Sequence, residues 1–117
     1  MESLIHSLFA LSPAVRYVAL LRGKELELQE RPGLSGASAS ETDRYEELLV
    51  NPAVLTLLGR RGELDCGGLD HVWIRYGNFW TGLFPTADGH VNVGLEPDAV
   101  PTEYVDRIRA ELARGRR

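Results

Sequence analysis

Cys66 stands between Asp65 and Gly67 with His71 five residues on, placing a thiol and an imidazole in one short segment. A lone thiol with one imidazole falls below the ligand count of a zinc site. As nucleophile and general base the two would need a through-space contact that their spacing does not supply. His6 and His90, the other imidazoles, have no partner at useful spacing. Glu25, Glu27 and Glu30 form an acidic patch that reads as a solvated strand edge. The chain holds no Gly-x-x-x-x-Gly-Lys-Ser/Thr phosphate loop and no Gly-x-Ser-x-Gly elbow, and Gly33–Ser40 reads as a flexible connection. The sequence therefore points to no catalytic, cofactor-binding or metal-ligating residue, and to a protein that is not an enzyme.

Trp73, Arg75 and Trp80 belong to the residue types concentrated at binding hot spots. They fall in two apolar runs, Val72–Tyr76 and Phe79–Phe84, flanking Gly77-Asn78, which reads as a hairpin turn. With Tyr76 opposite Phe79, one face holds Val72, Ile74, Thr81 and Leu83. The other holds Trp73, Arg75, Trp80, Gly82 and Phe84. Arg75 then lies across from Trp80, within reach of guanidinium–indole stacking. Such a cluster can serve as an interface or fill a layer beneath a helix, and both faces call for cover.

The elements that must position these residues follow from periodicity. Leu4, Ile5, Leu8, Phe9 and Leu11 give a short amphipathic helix over 2–11, closed by Ser12-Pro13. Val15–Arg22 and Glu25–Arg31 form a hairpin through Gly23-Lys24, in the register Arg22–Glu25, Leu21–Leu26 and Ala19–Leu28. Alternating glutamates on the second strand suit an edge guarded against stray pairing. Ser40 caps a helix over 41–58, carrying Tyr45, Leu48 and Leu49 on one face. Asn51-Pro52 kinks or breaks it and Gly59 ends it. After a loop at Arg60–Asp70 and the hairpin just described, Pro85–Gly89 forms a longer turn, and His90–Glu96 is the last strand. A helix over 102–113 presents Tyr104, Val105, Ile108 and Leu112 inward. The order α-β-β-α-β-β-β-α makes one α+β domain over 1–117, with a five-stranded antiparallel sheet between helices in a three-layer sandwich.

Hydrophobic residues at 44% and charged residues at 26% of the 117 exclude wholesale disorder. Net charge is −4, which argues against nucleic acid as a partner. The segment Arg107–Arg117 nevertheless carries five arginines against one glutamate, placed to favour the helix dipole. Arginine replaces lysine at every basic position but Lys24, the mark of a GC-rich, bacterial genome. The single cysteine excludes an internal disulfide. No signal peptide or membrane-length apolar run is visible, so the cytoplasm is the default compartment and membrane insertion is not expected.

Taken together, Pro13-Ala-Val15 leading into Tyr17–Leu21, the Gly23-Lys24 turn, the mid-chain helix and above all Leu64–Phe84 resemble the roadblock (dynein light-chain) family of the roadblock/longin superfamily. The chain departs from that family at Asn51-Pro52, inside what is usually one continuous helix, and at Gly23-Lys24, where Asp-Gly is common. The resemblance implies a non-enzymatic homodimer, joined edge to edge at the third strand (71–76) with middle helices side by side. It also implies that this dimer binds a small Ras-like GTPase as regulator or scaffold. Tyr45, Leu49, Val72, Trp73, Arg75 and Trp80 are the interface candidates. The alternative is a small-ligand sensor of profilin-like or PAS-like type, which needs a sheet–helix pocket of about 300 Å³ or more.

Overall fold

Ser3 opens the first helix, its hydroxyl oxygen accepting the His6 N–H at 3.1 Å and so satisfying an amide that a helix start leaves unpaired. Helix α1 (Leu4–Phe9) buries Ile5 and Leu8. The computed structural model describes residues 3–34, 36 and 39–115. The expected helix start at residue 2, Arg116 and Arg117 lie outside the described residues.

Strands β1 (Val15–Arg22) and β2 (Glu25–Glu30) pair in the expected register, with Arg22 opposite Glu25 and Ala19 opposite Leu28. Gly23 takes φ +60°, the backbone conformation the tight turn requires. Strands β3 (Val72–Arg75), β4 (Trp80–Thr86) and β5 (Gly89–Leu95) complete an antiparallel sheet of order β2-β1-β5-β4-β3. Strands β2 and β3 are thus the two edges. The expected long turn at Pro85–Gly89 is shorter: Pro85 and Thr86 pair with His90 and Gly89, leaving only Ala87-Asp88 to reverse the chain.

Alternation divides the sheet into two faces. Val18 and Leu20 of β1, Val91 and Val93 of β5 and Phe84 of β4 form one core with Ile5 and Leu8 of α1. Ile108 of helix α4 (Val105–Gly115), which follows a 3₁₀ turn at Pro101–Glu103, joins that core. Arg31 fastens the corner. It donates to the carbonyls of Val15 at 2.8 Å and Phe9 at 3.2 Å while covering the Phe9 ring at 5.2 Å. Arginines of α4 act likewise: Arg107 donates to the Leu11 carbonyl, Arg109 to the Asp70 carboxylate, and Arg114 to Glu111 at 2.8 Å.

The middle helix corrects four expectations. Helix α2 (Ser40–Tyr45), a π-helical turn (Glu46–Val50) and helix α3 (Asn51–Asp65) run on without a break, with helical φ and ψ at Glu46, Val50 and Asn51. Proline lacks an N–H and crowds the carbonyl four residues before it. A wider turn immediately upstream accommodates both defects, so Asn51-Pro52 neither breaks nor ends the helix. Gly59 does not stop it either, and the expected loop from Arg60 is helical to Asp65. The stop comes at Gly67 and Gly68, with φ +81° and +91°, where the Gly68 N–H reaches back to the Gly62 carbonyl at 3.0 Å. The helix begins after Ala39, not with Ser40 as its cap.

Gly89 marks the closest backbone approach, since a Cβ there would fall 1.9 Å from the Leu21 carbonyl oxygen. Gly89→Ala is expected to open the β1–β5 ladder at that end and cost about 2–4 kcal/mol, seen as a lower midpoint in urea. An unchanged midpoint would show that the two strands can part there freely.

Candidate functional site

Asp43, Glu47 and Asn51 recur every four residues along the middle helix, and all three are buried. Opposite them, His90 and Asn92 alternate with Val91 and Val93 on β5 and so point to the face away from the α1–α4 core. Tyr17 of β1 shares that face. Four donors converge on Glu47, whose exposure is 0%. The Tyr17 hydroxyl donates at 2.8 Å, Asn92 at 2.7 Å, Asn51 at 3.0 Å and the Nε2–H of His90 at 2.7 Å. Acceptance by the carboxylate fixes which His90 nitrogen carries the proton.

Burial raises the Glu47 pKa, but hydrogen bonds from His90, Asn92, Tyr17 and Asn51 together outweigh it, leaving the carboxyl below its ordinary value. Tyr17 is pushed up, first by burial and then by the Glu47 charge. The arrangement is a polar bolt between helix and sheet. A cavity of about 20 Å³, room for one water, lies beside it between Tyr17, Asn92, Asp43 and Glu46. His90, expected to lack a partner, is thus tied to a residue 43 positions earlier.

Turning acids inward turns apolar residues outward. Tyr45 is 59% exposed, Leu49 60%, Leu57 69% and Leu64 79%, with Leu48 and Leu58 also exposed. The middle helix thus leaves a run of large apolar side chains in solvent. The nearby sheet edge is open, because β3 pairs only with β4. Val72, Trp73 and Ile74 of that edge are half-buried, and no acidic residue guards it. Tyr76, at the end of β3, donates its hydroxyl to Glu46 at 2.9 Å and is pushed up to about 12, chiefly by burial and then by that carboxylate.

The interface candidates fall into three groups. Tyr45 and Leu49 lie on the exposed helix stripe. Trp73 and Trp80 are half-buried and pack against the α1–α4 core. The Trp73 ring lies over Gly82 and meets Phe84 edge to face at 5.9 Å. The Arg75 guanidinium is 5.7 Å from the Trp80 ring, as the register implies. Arg75 and Val72 belong to the open edge.

Cys66 is exposed at the end of α3, with Arg61 and Asp65 at 3.3 Å. His71 is held by Asp70 and stacked on Phe84 at 5.3 Å. Among the described residues no group of three or more His, Cys, Asp or Glu side chains is arranged to hold a metal. None of the helices there is long and apolar enough to cross a membrane. On the α1–α4 side a groove of about 480 Å³ opens between Leu4, Leu112, Leu20 and Val91. No protein-family model matches the chain, and no curated protein matches it.

Proposed function

We propose that the protein is a non-enzymatic, roadblock-type homodimer that holds or regulates a small Ras-like GTPase. The observation that carries the dimer is the outward apolar stripe of the middle helix beside the unguarded β3 edge. Two copies joined at β3 would extend the sheet and bring both stripes alongside, covering surface that a lone chain leaves in water. Terminal helices, sheet and middle helix are read as the three layers that the resemblance implies. The GTPase rests on that resemblance.

Light scattering at micromolar concentration is expected to give twice the 13.0 kDa chain mass. A monomer at that concentration defeats the dimer. Capture on immobilised protein from native extract, loaded with GTP analogue or GDP, should enrich a Ras-like GTPase in one nucleotide state. Failure there removes the partner and leaves the dimer standing.

The groove at Leu4 and Leu112 favours a second reading, the small-ligand sensor, on the face opposite the middle helix. A small apolar ligand that raises the unfolding temperature of the native chain but not of a Leu20→Phe variant would favour it.

A further inference from the structure

The middle helix and the tip of the β3–β4 hairpin leave between them a cleft of about 280 Å³. Tyr45 walls it on the helix side, and Tyr76 and Phe79 wall it on the hairpin side, their rings edge to face at 5.7 Å. Val50 adds an apolar contact, and the carboxylates of Asp43 and Glu46 line the same space. Among the described residues Glu46 has one side-chain partner, the Tyr76 hydroxyl. The cleft therefore combines aromatic faces with a half-buried carboxylate whose partner is a neutral hydroxyl.

We propose that this cleft receives an arginine side chain presented by a protein partner, with the guanidinium against the tyrosine rings and facing Glu46. A cation is drawn to the negative face of an aromatic ring, most strongly where water is displaced. The hydrocarbon stem of arginine can lie along Val50. The flat guanidinium stacks and donates to a carboxylate at once, which a lysine ammonium does not. The fold already makes such contacts at this end of the sheet: Arg16 covers Phe79 at 5.2 Å and Arg75 covers Trp80 at 5.7 Å. Phosphate or carboxylate ligands would meet like charge. The inference goes beyond the proposed GTPase scaffold and requires that Tyr45 stay open at the cleft when the leucines of the stripe are covered.

The test is a titration of isotope-labelled protein with blocked arginine amide, using blocked citrulline amide as the neutral isostere. The ring resonances of Tyr45 and Tyr76 should shift saturably with arginine, at the millimolar affinity of a single side chain. Citrulline should bind at least about fivefold more weakly. Glu46→Gln, which keeps an acceptor for Tyr76, should bind arginine no better than the native cleft binds citrulline. Should that variant fold poorly, Tyr45→Ala at an exposed position carries the same expected loss. Equal shifts with both probes, or arginine shifts that leave these residues unmoved, overturn the proposal.

Discussion

Glu47→Ala is expected to lower the stability of the fold by about 3–5 kcal/mol. The loss has two sources. Removing the side chain leaves a cavity where a fully buried side chain stood. It also strands four donors, from Tyr17, Asn51, His90 and Asn92, that no longer meet an acceptor. Against the 5–15 kcal/mol typical of a domain, that is a large share, and urea unfolding should show a much lower midpoint. Tyr17→Phe removes one donor of four and should cost only about 1 kcal/mol. Equal costs for the two variants would mean that the carboxylate does not organise the network.

The same group fixes a pH dependence. Because the folded Glu47 carboxyl lies below its ordinary value, the unfolded chain binds more protons between the two values, and stability rises with pH across that window. Its contribution is complete above the ordinary carboxylate range and is lost as pH falls through the folded value. Glu46 has the opposite sign. Burial raises it first, then the charges of Glu47 and Asp43, while the Tyr76 hydrogen bond pulls the other way. Stability tied to Glu46 is present below the ordinary range and lost as pH rises through the raised value. Glu46→Gln should therefore be at least as stable as the native chain at neutral pH, and replacing Glu47 should flatten the acid side of the profile.

Leu49→Asp with Leu57→Asp is expected to convert the proposed dimer to monomer, weakening association by about a hundredfold or more. Both side chains are more than half exposed in the single chain, so the fold itself should stand with an unchanged urea midpoint. Sedimentation reads the difference directly. A variant that stays dimeric would move the contact off the helix and onto the β3 edge alone. Trp73→Ala separates the same cases from the other side. Its ring covers Gly82 and Phe84, so its loss should cost stability of about 3–5 kcal/mol whether or not the chain associates.

Legibility in the sequence varied with the distance over which each contact acts. The first hairpin was readable because Gly23, the Arg22–Glu25 pair and the Leu21–Leu26 pair agree within a dozen residues. The faces of the second hairpin were readable for the same reason, down to the Arg75–Trp80 stack. The middle helix was not. Local rules give Pro52 a break and Gly59 a stop, yet a π turn absorbs the first, and a mid-helix glycine costs only about 1 kcal/mol. The Glu47–His90 bond joins residues 43 apart, beyond any spacing rule. Two signals were nevertheless present, the Asp43-Glu47-Asn51 stripe and the His90/Asn92 alternation. Each looks like a solvated face alone, and only together do they describe a buried contact.

The strand order also has a consequence for how the chain comes off the ribosome. Strand β1 is interior, and one of its two neighbours is β5, with Val18 opposite Val93. At common synthesis rates that partner follows on the order of 4–15 s later. Through that interval Val18 and Leu20 have β2 beside them and α1 at hand, but neither β5 nor the Ile108 side chain that finally covers the core. The glutamates of β2 are thus synthesised early, before β3 exists. The residues that guard one side of the first hairpin are made well before the strand that completes its other side.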